Sequence, residues 1–205
     1  SGTYRSLRSG TMSPNTTVFL SYWGDKMKGY NYCMSHSVEV TGAQLANALH
    51  MLGVNFIMGG SNDSEALHRD PKRMIAALAD SKEARLRLSL IPLFREHPEF
   101  SSHVREVVYT LPPRTRLILQ CYYSAAVWLQ RVHRSKLTTF TGEKQTLPEQ
   151  FSRDLNLQIT DDPETNLFLL AERHRELSGE KVNWLGTYKH AAQIFIKGLE
   201  IKSRG

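Results

Sequence analysis

The sequence predicts a mainly α protein: a single multi-helix domain with at most one or two short strands. Three observations predict it. From about residue 41 onward, apolar residues recur at spacings of three and four, which stack on one face of a helix. The pairs Asp70-Pro71 and Asp162-Pro163 are helix starts, a capping acid followed by a proline that needs no N–H in the first turn. Strand-like runs are few: residues 16–23 have no obvious partner, and residues 54–58 are stopped at once by Gly59-Gly60.

Residues 1–37 stand apart. Ser, Gly, Thr, Asn and Tyr dominate them, and no period of 2 or 3.6 persists. They are expected to be a flexible or non-native N-terminal extension of a helical domain at 38–205; Met34 and the run after it read like a natural beginning. The competing reading is a partner-binding arm that presents Tyr22, Trp23, Tyr30 and Tyr32.

Order begins at Thr41, which with Gln44 matches a capping box. Leu45, Leu49 and Leu52 share one face, and Gly53 is placed to end that helix. After Asp70-Pro71, Met74, Ile75 and Leu78 form the next apolar face. Ser81 can cap the run KEARLRLSLIPLFREHPEF. Its length and Ala, Leu, Arg and Glu content favour a helix kinked near Pro92. Ser101 or Ser102 opens a short helix with Val104, Val107, Val108 and Leu111 inward.

Pro112 and Pro113 open the longest helix, over residues 113–134. Leu117, Cys121, Ala125, Trp128 and Val132 make one row, and Ile118, Tyr122, Ala126 and Leu129 a second. Only a narrow polar stripe is left, Arg116, Gln120, Ser124 and Arg131. Such a helix is enclosed on several sides, so it is the expected core; Trp128 is expected to matter greatly to stability and Gln130 little. Residues 136–147 read as a polar loop and residues 148–155 as a short helix. The helix after Asp162-Pro163 aligns Leu167, Leu170, Ala171, His174 and Leu177, and Ser178-Gly179 stops it. The last helix, 183–202, buries Trp184, Tyr188, Ala191, Ala192, Phe195 and Leu199.

The net charge of +6 is unevenly spread. Residues 81–139 carry ten lysines and arginines against four acids, and the remaining segments cancel. The basic set there is Arg85, Arg87, Arg95, Arg105, Arg114, Arg116, Arg131, Arg134 and Lys136. Arg85, Arg87, Arg131 and Arg134 are the candidates for binding nucleic acid or an acidic partner, provided the fold joins their elements into one basic face. The two cysteines make neither a disulfide framework nor a metal-ligand spacing. No two of the eight histidines are four apart, so neither a metal site nor any other cofactor is expected. His174 lies on an apolar stripe and reads as a core histidine. No run reaches the ~18 apolar residues of a membrane span; a soluble, cytoplasmic protein without a membrane partner is expected.

The stretch from Leu52 to Ser61, LGVNFIMGGS, resembles the opening of a minimal nucleotidyltransferase. The resemblance implies that the Gly59-Gly60-Ser61 turn lets backbone approach nucleotide phosphates, with paired carboxylates on the next strand holding two magnesium ions. Asp70-Pro71-Lys72 stands where the pair is due and has one acid. The runs EARLRLSLIPLFREHPEF, YYSAAVWLQ and NWLGTYKHAA are similar to small helical proteins associated with such enzymes. The function expected is a non-enzymatic binding module for a protein or nucleic-acid partner. The alternative is a degenerate nucleotidyltransferase-like enzyme or its regulatory partner.

Overall fold

Side-chain caps fix four of the nine α-helix starts among the described residues. In the computed structural model, which describes residues 40–54, 67–142 and 145–204, Thr41 and Gln44 form the capping box of α1 (Gly42–Met51). Gly53 closes the chain after it at φ 73°, a conformation open to glycine. Asp70 caps α2 (Pro71–Asp80) through the Arg73 amide at 3.1 Å. Asp162 caps α8 (Pro163–Ser178), and Gly179 ends it in the left-handed region. Asn183 caps α9 (Trp184–Lys202). Between them lie α3 (Ala84–Leu88), α4 (Leu90–Glu96), a 3-10 turn at Pro98–Phe100, α5 (Ser101–Thr110), α6 (Pro113–Val132) and α7 (Arg134–Thr141). No strand occurs among the described residues. The protein is mainly α, as its periodicity predicts. The extension at 1–37, the strand-like runs and the Gly59-Gly60-Ser61 turn lie outside the described residues, apart from Val54.

Helix α6 is the core. It packs most extensively against α8 and α4, with α2, α5, α7 and α9 also against it. Leu119, Cys121, Tyr123, Ala125, Ala126 and Val127 are wholly buried, and the polar stripe is buried too at Gln120 and Ser124. Tyr123 anchors the centre: its hydroxyl donates to the Pro148 carbonyl at 2.8 Å. Its ring meets Phe94 and Phe151 edge-on at 5.0 and 5.6 Å, the favoured aromatic geometry. Burial pushes the Cys121 thiol far above its ordinary range, so this cysteine is an inert core group. No helix of the described residues is long and apolar enough to cross a membrane.

Three local expectations need correction. The expected single helix kinked at Pro92 is two helices, broken three residues earlier at Ser89. The Ser89 hydroxyl donates to the Leu86 carbonyl at 2.6 Å. Pro92 falls in the first turn of α4, where its missing N–H leaves no bond unmade. Much of the expected loop at 136–147 is α7. Thr138, Thr139 and Thr141 return their hydroxyls to the carbonyls of Arg134, Ser135 and Leu137 at 2.9–3.0 Å, a use of threonine compatible with helix. Leu137 pins α7 to Ile196 and Leu199 of α9. The expected helix at 148–155 is a series of turns. There the Glu149 carboxylate accepts the amides of Phe151 and Ser152 at 2.8 and 2.7 Å, which competes with a helical ladder.

Candidate anion-binding site

Helix α6 ends at His133, and the chain turns directly into α7. That turn places Arg131 and Arg134 on the wall of one cavity of about 730 Å³, a volume typical of ligand sites. Trp128, Leu137, Ile159 and Phe195 supply its apolar lining, and Thr138, Thr141, Thr146 and Thr160 add hydroxyl-bearing residues. Helix α4 contributes Arg95.

Arg95 is the unusual member. It is only 7 % exposed, and its Nε–H has no hydrogen-bond acceptor. Its guanidinium lies 5.6 Å from the centre of the Phe195 ring. Burial lowers its pKa to about 10, partly offset by Glu96, so it is charged at neutral pH. Neither Arg95, Arg131 nor Arg134 makes an ion pair among the described residues. Among the described residues Asp161 is the one carboxylate lining the cavity. The Trp128 indole N–H is likewise buried without an acceptor, and the Arg131 guanidinium sits over its ring at 4.4 Å. At the α6–α7 junction, burial first and then the Arg95 charge hold His133 below the ordinary imidazole range. The site therefore combines three guanidiniums, two buried N–H donors lacking acceptors and an aromatic floor. It can receive an anion's oxygens: planar guanidiniums match phosphate and carboxylate two bonds at a time.

The fold does not join all four arginines chosen from the sequence. Arg131 and Arg134 share this cavity. Arg85 is exposed and paired with Glu83 at 2.8 Å. Arg87 donates to the carbonyls of Ser81 and Lys82 at 2.7 and 3.0 Å and lines a different cavity, together with Tyr122. Tyr122 and Arg131 are nine positions apart on α6, about 14 Å along its axis and half a turn around it. Gly59, Gly60 and Ser61 lie outside the described residues. Arg95 is one arginine among eight in the basic segment. Its distinguishing signal is position: it follows Ile91 by four within LIPLFRE, on an otherwise apolar row.

Fold and site together define a helical domain with a cationic, aromatic-floored cavity. No family model, curated protein or solved structure matches the chain.

Proposed function

We propose that the protein is a non-enzymatic binding module whose partner is nucleic acid, held by its phosphates at the cavity of Arg95, Arg131 and Arg134. The observation that carries this is Arg95, a buried guanidinium that makes no ion pair among the described residues and whose charge Glu96 only partly offsets. A buried charge that is only partly compensated carries a desolvation penalty, and an incoming anion reduces it. Phosphate fits the guanidinium geometry, and Trp128, Phe195 and the ring-seated Arg131 favour a ligand with stackable bases over a plain acidic peptide. Arg131 and Arg134 are exposed and suit first encounter; Arg95 suits the final, dry contact.

The test is affinity for a mixed single-stranded oligonucleotide pool across a salt series. Wild type should weaken steeply with salt, and the double variant Arg131→Ala, Arg134→Ala should lose about one unit of log–log slope for each phosphate contact removed. No binding at low salt, or equal slopes for both proteins, excludes nucleic acid at this cavity. Binding of an acidic peptide in preference to the oligonucleotides would reassign the partner to protein.

A further inference from the structure

A second cavity, of about 870 Å³, lies beside the N-terminal half of α6. Its apolar wall includes Leu117, Ile118, Tyr122, Leu177 and Trp184, and His174 of α8 also faces it. His174 is 1 % exposed and stacks on Trp184 with ring centres 3.8 Å apart. Tyr122 meets both rings edge-on.

The protonation of this cluster follows from hydrogen-bond accounting. Tyr188 is fully buried, and its hydroxyl lies 2.5 Å from His174 Nδ1, its one partner among the described residues. A buried hydroxyl that leaves its proton unbonded is costly. The Tyr188 proton therefore goes to Nδ1, which must be bare. Burial holds His174 down to a pKa of about 4, so the ring is neutral at pH 7 and its single proton sits on Nε2. Among the described residues Nε2 has no partner. The indole N–H of Trp184 is also buried without an acceptor. Two neutral ring N–H donors thus belong to residues that line one cavity.

The charges at this cavity are engaged apart from Lys82, an exposed lysine at its rim with no ion pair among the described residues. Arg114 pairs with Glu180 at 3.0 Å, Arg87 is taken up by two backbone carbonyls, and Asp80 accepts the Thr115 hydroxyl at 2.9 Å. Free guanidiniums of the kind found at Arg95 are missing from it. Neutral donors beside aromatic and aliphatic walls call for a neutral acceptor on a flat apolar body.

We infer that this cavity is a binding site for an uncharged planar heterocycle whose carbonyl oxygens accept from His174 Nε2–H and Trp184 Nε1–H. The inference does not rest on nucleic-acid binding at the first cavity.

The probe is uracil, an uncharged ring with two carbonyl acceptors, followed by nitrogen-15 NMR on the full chain with labelled His and Trp. The free protein should show His174 as the neutral Nε2–H tautomer at pH 6. Uracil should shift His174 Nε2 and the Trp184 indole N–H saturably, and Trp184→Phe, which keeps an aromatic ring but removes the donor, should weaken binding at least tenfold. Orotate, the same ring with a carboxylate, should bind no more tightly. An Nδ1–H tautomer overturns the proposal. So does the absence of a saturable shift at these two residues, a response confined to Trp128, or tighter binding of orotate. The wild-type titration decides the matter even if the variant fails to fold.

Discussion

The two cavities flank the same helix and treat charge in opposite ways. Around Arg131 and Arg134 the guanidiniums make no ion pair among the described residues, and Arg95 is buried as well. Around His174 the arginines are tied to backbone or to Glu180, and the buried imidazole is neutral. A stable core alone would favour the second arrangement, because paired charges and neutral donors leave little desolvation unbalanced. The first arrangement leaves a penalty standing in the free protein. That difference is what supports the proposed anion at the first cavity and the proposed uncharged ligand at the second.

The largest expected effect falls on the wall of the first cavity. Trp128→Ala removes a ring that is 1 % exposed and should cost about 3–5 kcal/mol of stability, read by chemical denaturation. It also removes the seat of Arg131, so surviving folded protein should bind oligonucleotide more weakly while its His174 signals stay in place. Loss of both sites together would mean that the cavities are not independent.

The next effect is a pH dependence that belongs to the second cavity. The folded pKa of His174 is depressed from 6.5 to about 4. Between those values the unfolded chain binds more protons than the native one, so stability rises with pH through the window. It is complete above about 6.5 and is lost as pH falls toward 4, by ~3 kcal/mol in all. Urea denaturation from pH 7 to 4.5 should show this slope in wild type and a shallower one in His174→Phe. Equal slopes would mean that His174 is not the titrating group.

A smaller effect sharpens the boundary of the first cavity. Gln130 Oε1 accepts the Leu147 amide at 2.7 Å, and its Nε2 donates to the Gln145 carbonyl at 3.0 Å. Gln130→Ala strands a backbone amide and should cost about 1–3 kcal/mol, where the sequence alone suggests a silent change. A melting temperature unchanged from wild type would show that the segment relaxes freely.

The contrast between Gln130 and Trp128 marks what was legible in the sequence. Trp128 sits in a repeating apolar row, so its burial follows from spacing. Gln130 acquires its role from a segment fifteen residues away, and spacing carries no trace of that. The same division holds for the elements. Thr41 with Gln44, Asp70 and Asp162 announce helix starts through bonds within one turn, and all three cap as read. The helix at Arg134–Thr141 was hidden because its threonines favour loops by propensity, while Leu137 is held by α9 from far along the chain. The site divides likewise. Arg131 and Arg134 could be paired from sequence because they lie on adjacent turns. Arg87 could not be separated from them without knowing which face of α6 it meets. Arg95 could not be ranked above its neighbours, because its burial depends on where α4 packs.

The most direct test of the account is Arg95→Met, a change that keeps an unbranched apolar stem and deletes the charge. If Arg95 is held for an anion, removing it relieves the free protein of a buried charge that Glu96 only partly offsets. The variant should then be more stable by about 1 kcal/mol or more, while oligonucleotide at low salt should raise the melting temperature of wild type and leave that of the variant nearly unmoved. A variant that is less stable than wild type and still gains the full ligand-dependent shift would show that Arg95 serves packing alone, contradicting the assignment of this cavity to phosphate.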